Sequence, residues 1–309
     1  MKNIAAGIDV GGTNTVIGMV DSDGKCWYKT SISTPGYDDA AVFVHEIARI
    51  IKEYFLSNTT SNLVGIGIGA PNGNYYNGSI EFAPNLKWKG VVPLVGLFRQ
   101  HFDVPVVLTN DANAAAIGEM VYGNAKGMKN FIEITLGTGV GSGIVVDANM
   151  VYGHDGFAGE IGHAIVFPGG RVCGCGRSGC LEAYCSASGI VKTYNDLLAR
   201  DGKKTEGEIT PYKISKLAEK GDKTAISTYE YTGEILGLGL SNSVAHTSPE
   251  AIFIFGGIAN AGELLFKPLK ESFEKYLLQV YRNKISILPS GIMENDAAIL
   301  GAASLVWKQ

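Results

Sequence analysis

Apolar positions fall in short blocks near the start of the chain and in spaced stripes further on. Ile4 to Val10 is a mostly apolar block stopped by Gly11-Gly12-Thr13, which predicts a strand and a turn. Val16 to Val20 and Trp27 to Ser33 predict two more strands, separated by Asp21-Ser22-Asp23-Gly24. From Asp39 to Asn58 the spacing changes. Phe43, Ile47, Ile50, Ile51, Tyr54 and Phe55 recur at helical intervals among Glu46, Arg49, Lys52 and Glu53, the pattern of an amphipathic helix. Strands are expected at Leu63 to Ile68 and Val104 to Leu108, with a helix from Val92 to His101 between them and another starting near Ala112.

The same order returns at Phe131. Phe131 to Leu136 predicts a strand, Gly137-Thr138-Gly139 a turn and Gly141 to Val146 a second strand, with Val151-Tyr152 as the edge of a third. Helices are expected at Leu181 to Asp201, Pro211 to Lys220 and Asp222 to His246. Ile252 to Phe255 reads as a strand ending at Gly256-Gly257, followed by a helix reaching Val280, a strand at Ile285 to Leu288 and an Ala-rich helix at Asp296 to Trp307. Strands alternating with helices, in a pattern that occurs twice, predict an α/β chain of two domains. We set the first at residues 1–118, with the final helix 296–309 packing back on it, and the second at residues 119–295.

Composition adds one strong feature. Of the 309 residues 41 are glycine, about 13% against a usual 7% or so, and 46% are hydrophobic, so neither a disordered nor a collagen-like chain fits. Fifteen of these glycines lie between Gly123 and Gly179, where backbone must turn tightly or approach a ligand. A formal charge of -4 argues against nucleic acid or anionic membrane as a partner. The N-terminal apolar run is interrupted by Asp9 before it reaches the length of a signal-peptide core, and no stretch is long enough to span a bilayer. A soluble, cytoplasmic protein is expected.

Three glycine turns follow apolar strands: Asp9-Val10-Gly11-Gly12-Thr13-Asn14-Thr15, Leu136-Gly137-Thr138-Gly139 and Phe255-Gly256-Gly257. Such turns aim several N–H groups at one point with no Cβ in the way, which suits phosphate. The chain lacks the glycine-spaced Lys-Ser/Thr of a P-loop, and Ser142 stands where a dinucleotide fingerprint needs glycine. In this order the three turns resemble the two phosphate motifs and the adenosine motif of the superfamily of actin, sugar kinases and heat-shock chaperones. The resemblance implies two domains of ribonuclease H-like, actin-like ATPase topology with ATP and sugar in the cleft between them. It also implies nucleotide contacts from Asp9, Gly11, Gly12, Thr13, Thr15, Thr138, Gly139, Gly256 and Gly257, with Asp9 a partner of Mg2+.

Thr109-Asn110-Asp111-Ala112-Asn113 joins an apolar strand to a helix. Asp111 there is either a helix N-cap or a general base that takes a hydroxyl proton during attack on the γ-phosphate, and both readings stay open. Further on, Glu160-Ile161-Gly162-His163 precedes Cys173-Gly174-Cys175 and Cys180-Leu181-Glu182. One imidazole and three thiolates, His163, Cys173, Cys175 and Cys180, form a closed tetrahedral set suited to a structural Zn2+. Cys26 and Cys185 read as packing residues.

This segment is similar to the signature of the ROK family of repressors, open reading frames and kinases, and the likeness runs from Asp9 to the final helix. It implies that Glu160, His163 and Glu182 hold sugar hydroxyls, that Asp111 is the catalytic base and that Asn110 touches the sugar. Gly69-Ala70-Pro71-Asn72-Gly73 departs from the family's Gly-x-Pro-Gly turn. Ala83-Pro84-Asn85-Leu86-Lys87-Trp88 resembles a stretch of the family's glucokinases, which makes Asn85 a sugar ligand or, equally, a loop amide bonded to its own backbone. The resulting expectation is an ATP-dependent kinase acting on the 6-hydroxyl of a hexose, glucose foremost, in a homodimer. N-acetylmannosamine, N-acetylglucosamine, fructose and mannose are alternative substrates. A sugar-responsive repressor is disfavoured, because only eight residues precede Asp9.

Overall fold

The structure, a computed structural model, describes residues 1–205, 207–292 and 294–307. It divides into one unit of Met1–Met128, Met150–Ala158 and Ser290–Gln309, and a second of Lys129–Asn149 and Gly159–Pro289. The division falls later than residue 118. The helix that contains Gly118 continues to Tyr122, and Glu119 on it is fully buried, accepting hydrogen bonds from Ser290 Oγ and the Gly291 N–H within the first unit.

The first unit opens with β1 (Lys2–Val10), β2 (Asn14–Asp21) and β3 (Cys26–Ser33) as an antiparallel meander. Helix α1 (Ala40–Ser57) starts where the Asp39 carboxylate accepts the N–H groups of Ala41 and Val42 at 2.7 and 3.1 Å, a capping arrangement. Strand β4 (Ser61–Gly69) then pairs parallel to β1. A small sheet of β5 (Gly73–Asn74), β6 (Ser79–Glu81) and β7 (Val91–Val92) follows, with strands too short to show alternation in sequence. Helix α2 (Leu94–Arg99), strand β8 (Val106–Thr109), parallel to β4, and helix α3 (Asp111–Tyr122) complete this stretch. The main sheet has the order β3-β2-β1-β4-β8, and Phe43, Ile47 and Ile51 of α1 join Ile4, Ile8, Ile66 and Ile68 in its core.

The second unit repeats that order. Strands β9 (Phe131–Leu136) and β10 (Val140–Val146) are antiparallel, and β11 (Asn149–Met150) lies beside β10, just ahead of the expected Val151-Tyr152 edge. The helical segment expected from Leu181 to Asp201 is broken into α4 (Glu182–Cys185) and α5 (Ala187–Arg200). Ser186 between them is extended, and its hydroxyl accepts the Gly189 N–H, so it restarts the helix as an N-cap. Helices α6 (Pro211–Glu219) and α7 (Lys223–Thr247), strand β12 (Ala251–Phe255), helix α8 (Glu263–Tyr276) and strand β13 (Ser286–Pro289) follow. Helix α8 stops short of Val280 because Leu277 turns extended.

The sheet order is β11-β10-β9-β12-β13, with β9, β12 and β13 mutually parallel in sequence of pairing. Both units therefore have the ribonuclease H-like order expected, an antiparallel three-strand meander extended by two parallel strands. Gly233 and Gly237 of α7 face the α8 backbone: a Cβ on Gly233 would lie 2.8 Å from the Leu269 N, which is the close helix packing those glycines allow.

Helix α9 (Glu294–Trp307) returns to the first unit. Its Ala302 and Ala303 are fully buried, and Ala303 packs with Ala5 of β1 and Val20 of β2. Small residues let its backbone sit against the sheet.

Candidate active site

In the first unit, chemistry collects at the C-terminal ends of three parallel strands. Asp9 on β1 pairs in register with Gly69 on β4, and Gly69 with Thr109 on β8. The open ends of parallel strands are where such sheets hold ligands. A carboxylate oxygen of Asp9 and the Cα of Asp111 both lie within 4 Å of where a Gly69 side chain would begin. Any larger residue at position 69 would wedge between the two acids. Asp9 is half-buried, and loss of solvation followed by the charge of Asp111 pushes its pKa up to about 7.

The two readings of Asp111 separate here. Asn110 is the N-cap of α3, its Oδ1 accepting the Asn113 N–H at 2.7 Å. Asp111 is the first helical residue, and its carboxyl accepts the Ala112 N–H at 2.8 Å. By surface area Asp111 is exposed, yet protein crowds its carboxyl, and the lost solvation outweighs that hydrogen bond and raises its pKa.

The first glycine turn is closed by the Gly11 N–H donating to the Asn14 carbonyl at 3.1 Å, with Thr13 exposed. Gly12 faces Asn85, whose Cβ would be 3.1 Å from a side chain added there. Asn85 is itself exposed, in a loop held by the buried Leu86 and Trp88, and the Trp88 Nε1 donates to the Tyr37 carbonyl at 3.1 Å. Thr15 does not join the turn. It is fully buried, and its hydroxyl pairs with that of Thr34 at 2.8 Å, because alternation along β2 turns it inward.

In the second unit the turns of Gly137-Thr138-Gly139 and Gly256-Gly257 stand together, since β9 and β12 are parallel neighbours with Thr135 opposite Phe255. Gly256 has φ 104, and a side chain on it would strike the Leu136 carbonyl at 2.3 Å, so only glycine serves there. Glu182 Oε2 accepts the Val140 N–H at 3.0 Å, beside Thr138 and Gly139. The Glu160 to His163 segment packs against the start of β10, where the Gly162 Cα leaves no room for a Cβ beside the Val140 carbonyl.

His163, Cys173, Cys175 and Cys180 bring one donor atom each to within 4.8 Å of one another. Cys173 Sγ is 3.7 Å from His163 Nδ1, and Cys175 Sγ is 3.7 Å from Cys180 Sγ. A tetrahedral ion with bonds of about 2.3 Å to sulfur holds its sulfurs about 3.8 Å apart, so the donor set fits. The backbone N–H and then the guanidinium of Arg177 push the exposed Cys175 thiol down to about 6, whereas burial pushes the Cys173 thiol up to about 12 and raises that of Cys180. His163 turns Nδ1 to the sulfurs while its Nε2 is 3.9 Å from Glu160 Oε2, so its two nitrogens face different tasks.

Some supporting residues were not singled out in sequence. Ser142 pairs its hydroxyl with the Gly159 carbonyl and accepts the Ile161 N–H at 3.2 Å, which fixes the Glu160 segment. Arg171 donates to the Gly189 carbonyl and Thr193 Oγ1, pairs with Asp196 at 3.1 Å and lies over the Tyr184 ring, so it anchors the cysteine-rich loop to α4 and α5. Arg171 and Arg177 are the two cations in that glycine- and cysteine-rich stretch, which is the signal that could have marked Arg171. Gly69 was visible only as part of a departing motif.

The ROK family model matches residues 5–309, and the chain belongs to that family. It is 36% identical over 315 residues to a glucokinase of Halalkalibacterium halodurans, covering 98% of this chain and 94% of that protein. It superposes with a TM-score of 0.79 and 31% identity on a ROK family glucokinase from Streptomyces griseus crystallised with glucose and AMPPNP, covering 99% of this chain and 100% of the other. A xylose repressor of Caldicellulosiruptor bescii is 32% identical over 80% of this chain and 63% of the repressor. Among the described residues no helix is long and apolar enough to cross a membrane.

Proposed function

We propose that the chain is an ATP-dependent hexose kinase that phosphorylates the 6-hydroxyl, with glucose as its first substrate. The observation that carries this reading is the Asp9 and Asp111 pair at the ends of β1 and β8, in a chain 36% identical to a glucokinase along nearly its whole length. Asn110 caps α3, so Asp111 is left to act as base. Asp111 takes the proton of the 6-hydroxyl as that oxygen bonds to the γ-phosphorus; the bond to the β,γ-bridging oxygen breaks, and ADP leaves with the sugar phosphate formed.

Asp9 would hold Mg2+, which supplies charge neutralisation to the phosphates when bound. The N–H groups of Gly12, Thr13, Thr138 and Gly139 would be donors for phosphate oxygens, Gly11 shapes the first turn with its own N–H spent on the Asn14 carbonyl, and Gly256 and Gly257 would adjoin adenosine. Glu160, Glu182, Asn110, Asn85 and the Nε2 of His163 are proposed to meet sugar hydroxyls. The donor set of His163, Cys173, Cys175 and Cys180 would take Zn2+ as a structural ion that steadies Glu160 and Glu182. A cytoplasmic homodimer belongs to the same reading, supported by family likeness, and sedimentation at working concentration checks the assembly.

The test is a coupled ADP-release assay over glucose, mannose, fructose, N-acetylmannosamine and N-acetylglucosamine. Turnover highest with glucose is expected. A preference for an N-acetylhexosamine reassigns the substrate, and no turnover with any sugar overturns the kinase reading.

A further inference from the structure

The segment after the last metal-ligand cysteine holds both ends of the second phosphate turn. Glu182 Oε2 accepts the N–H of Val140, the residue directly after Thr138-Gly139, at 3.0 Å. Five residues on, the Ala187 N–H donates to the carbonyl of Gly137 at 2.9 Å. Gly139 admits the carboxylate, because a Cβ there would lie 2.5 Å from Glu182 Oε2. The other oxygen, Oε1, lies 3.4 Å from Cys173 Sγ. A carboxylate beside a phosphate site repels the ligand, so its presence calls for a role that outweighs the cost.

We propose that Glu182 is a positioning residue for the nucleotide: it grips Val140 and so holds the Thr138 and Gly139 backbone in the shape that receives phosphate, in addition to any contact with sugar. A charged acceptor on a backbone N–H makes one of the stronger hydrogen bonds, and a loop gripped at both ends has fewer shapes to lose when ATP binds. The metal loop would thereby reach the nucleotide half of the reaction through one side chain. This inference rests on the kinase reading.

Calorimetric titration with AMPPNP and Mg2+, with no hexose present, separates this role from a sugar contact. Glu182→Ala and Glu182→Asp, the second keeping the charge but withdrawing the oxygen, are expected to weaken AMPPNP by about tenfold. Glu182→Gln keeps an oxygen acceptor for Val140 and is expected to stay within about threefold of the parent or bind more tightly. In steady state the Ala and Asp variants raise the ATP KM as well as the hexose KM. Parent-like AMPPNP binding by Glu182→Asp, or a loss in Glu182→Gln as large as in Glu182→Asp, overturns the inference and leaves the kinase reading intact. A parent protein that binds no AMPPNP overturns both.

Discussion

The charge of Asp111 opposes the ionisation of Asp9. The two stand on either side of Gly69, and the charge of Asp111 adds to burial in lifting the Asp9 pKa to about 7. Two carboxyls in such a place are stable together when a cation or a proton joins them, which is the state a phosphoryl-transfer site reaches with its metal bound.

Asp111→Asn is the direct test of the base. Asparagine keeps an oxygen for the Ala112 N–H, and the cap of α3 belongs to Asn110, so the helix should stand. The loss of proton transfer should lower kcat by about 10²- to 10⁴-fold, with hexose affinity within a few fold by calorimetry. Turnover above a tenth of the parent's would remove Asp111 from the role.

Asp9 sets the sign of a pH effect on stability. The folded protein holds the Asp9 proton up to about pH 7, whereas the unfolded chain releases it near 3.8. Between those values the folded state binds more protons, so stability falls as pH rises through this window. Asp9→Asn removes the ionisation. In metal-free buffer the variant should melt higher than the parent at pH 8, and the gap should narrow through pH 5 and vanish only near pH 3.8. A gap independent of pH would mean that Asp9 ionises without strain.

Stripping the metal should act on the sugar side and the fold together. The four donors tie Cys173 and Cys180, both buried, to His163 and the segment that carries Glu160. Structural zinc contributes roughly 10 to 16 kcal/mol of apparent binding energy in small peptides, and less is expected beside a large core. A strong chelator should lower Tm and weaken hexose binding in parallel. Freshly purified protein without one zinc per chain would contradict the assignment.

Most of this architecture was legible because the sheets carry it in blocks. Phe131 to Leu136 is a strand bounded by turn residues in sequence and in space alike, and Asp39 begins its helix by capping it. The convergence of His163, Cys173, Cys175 and Cys180 was legible because cysteine spacing is local. What stayed hidden depends on features that hydrophobic periodicity does not register. The break at Ser186 comes from a cap inside an otherwise helical pattern, and the three strands from Gly73 to Val92 are too short for periodicity to register. Arg171 and Ser142 act through backbone carbonyls that no motif encodes. The burial of the Thr15 hydroxyl against Thr34 was hidden for a related reason. It belongs to a glycine turn by sequence, yet the strand alternation that follows decides where its hydroxyl points.

Thr15 offers a test that separates a buried structural pair from a nucleotide contact. Its hydroxyl and that of Thr34 are both buried and bond to each other at 2.8 Å. Thr15→Val leaves the Thr34 hydroxyl without that partner, at an expected cost of about 1 to 3 kcal/mol in denaturant unfolding. Thr34→Val should cost a similar amount. Replacing both removes the unmet group, so the double variant should be more stable than the sum of the singles implies. The ATP KM should stay near the parent's in all three. A raised ATP KM in Thr15→Val, with stability unchanged, would return Thr15 to the nucleotide site.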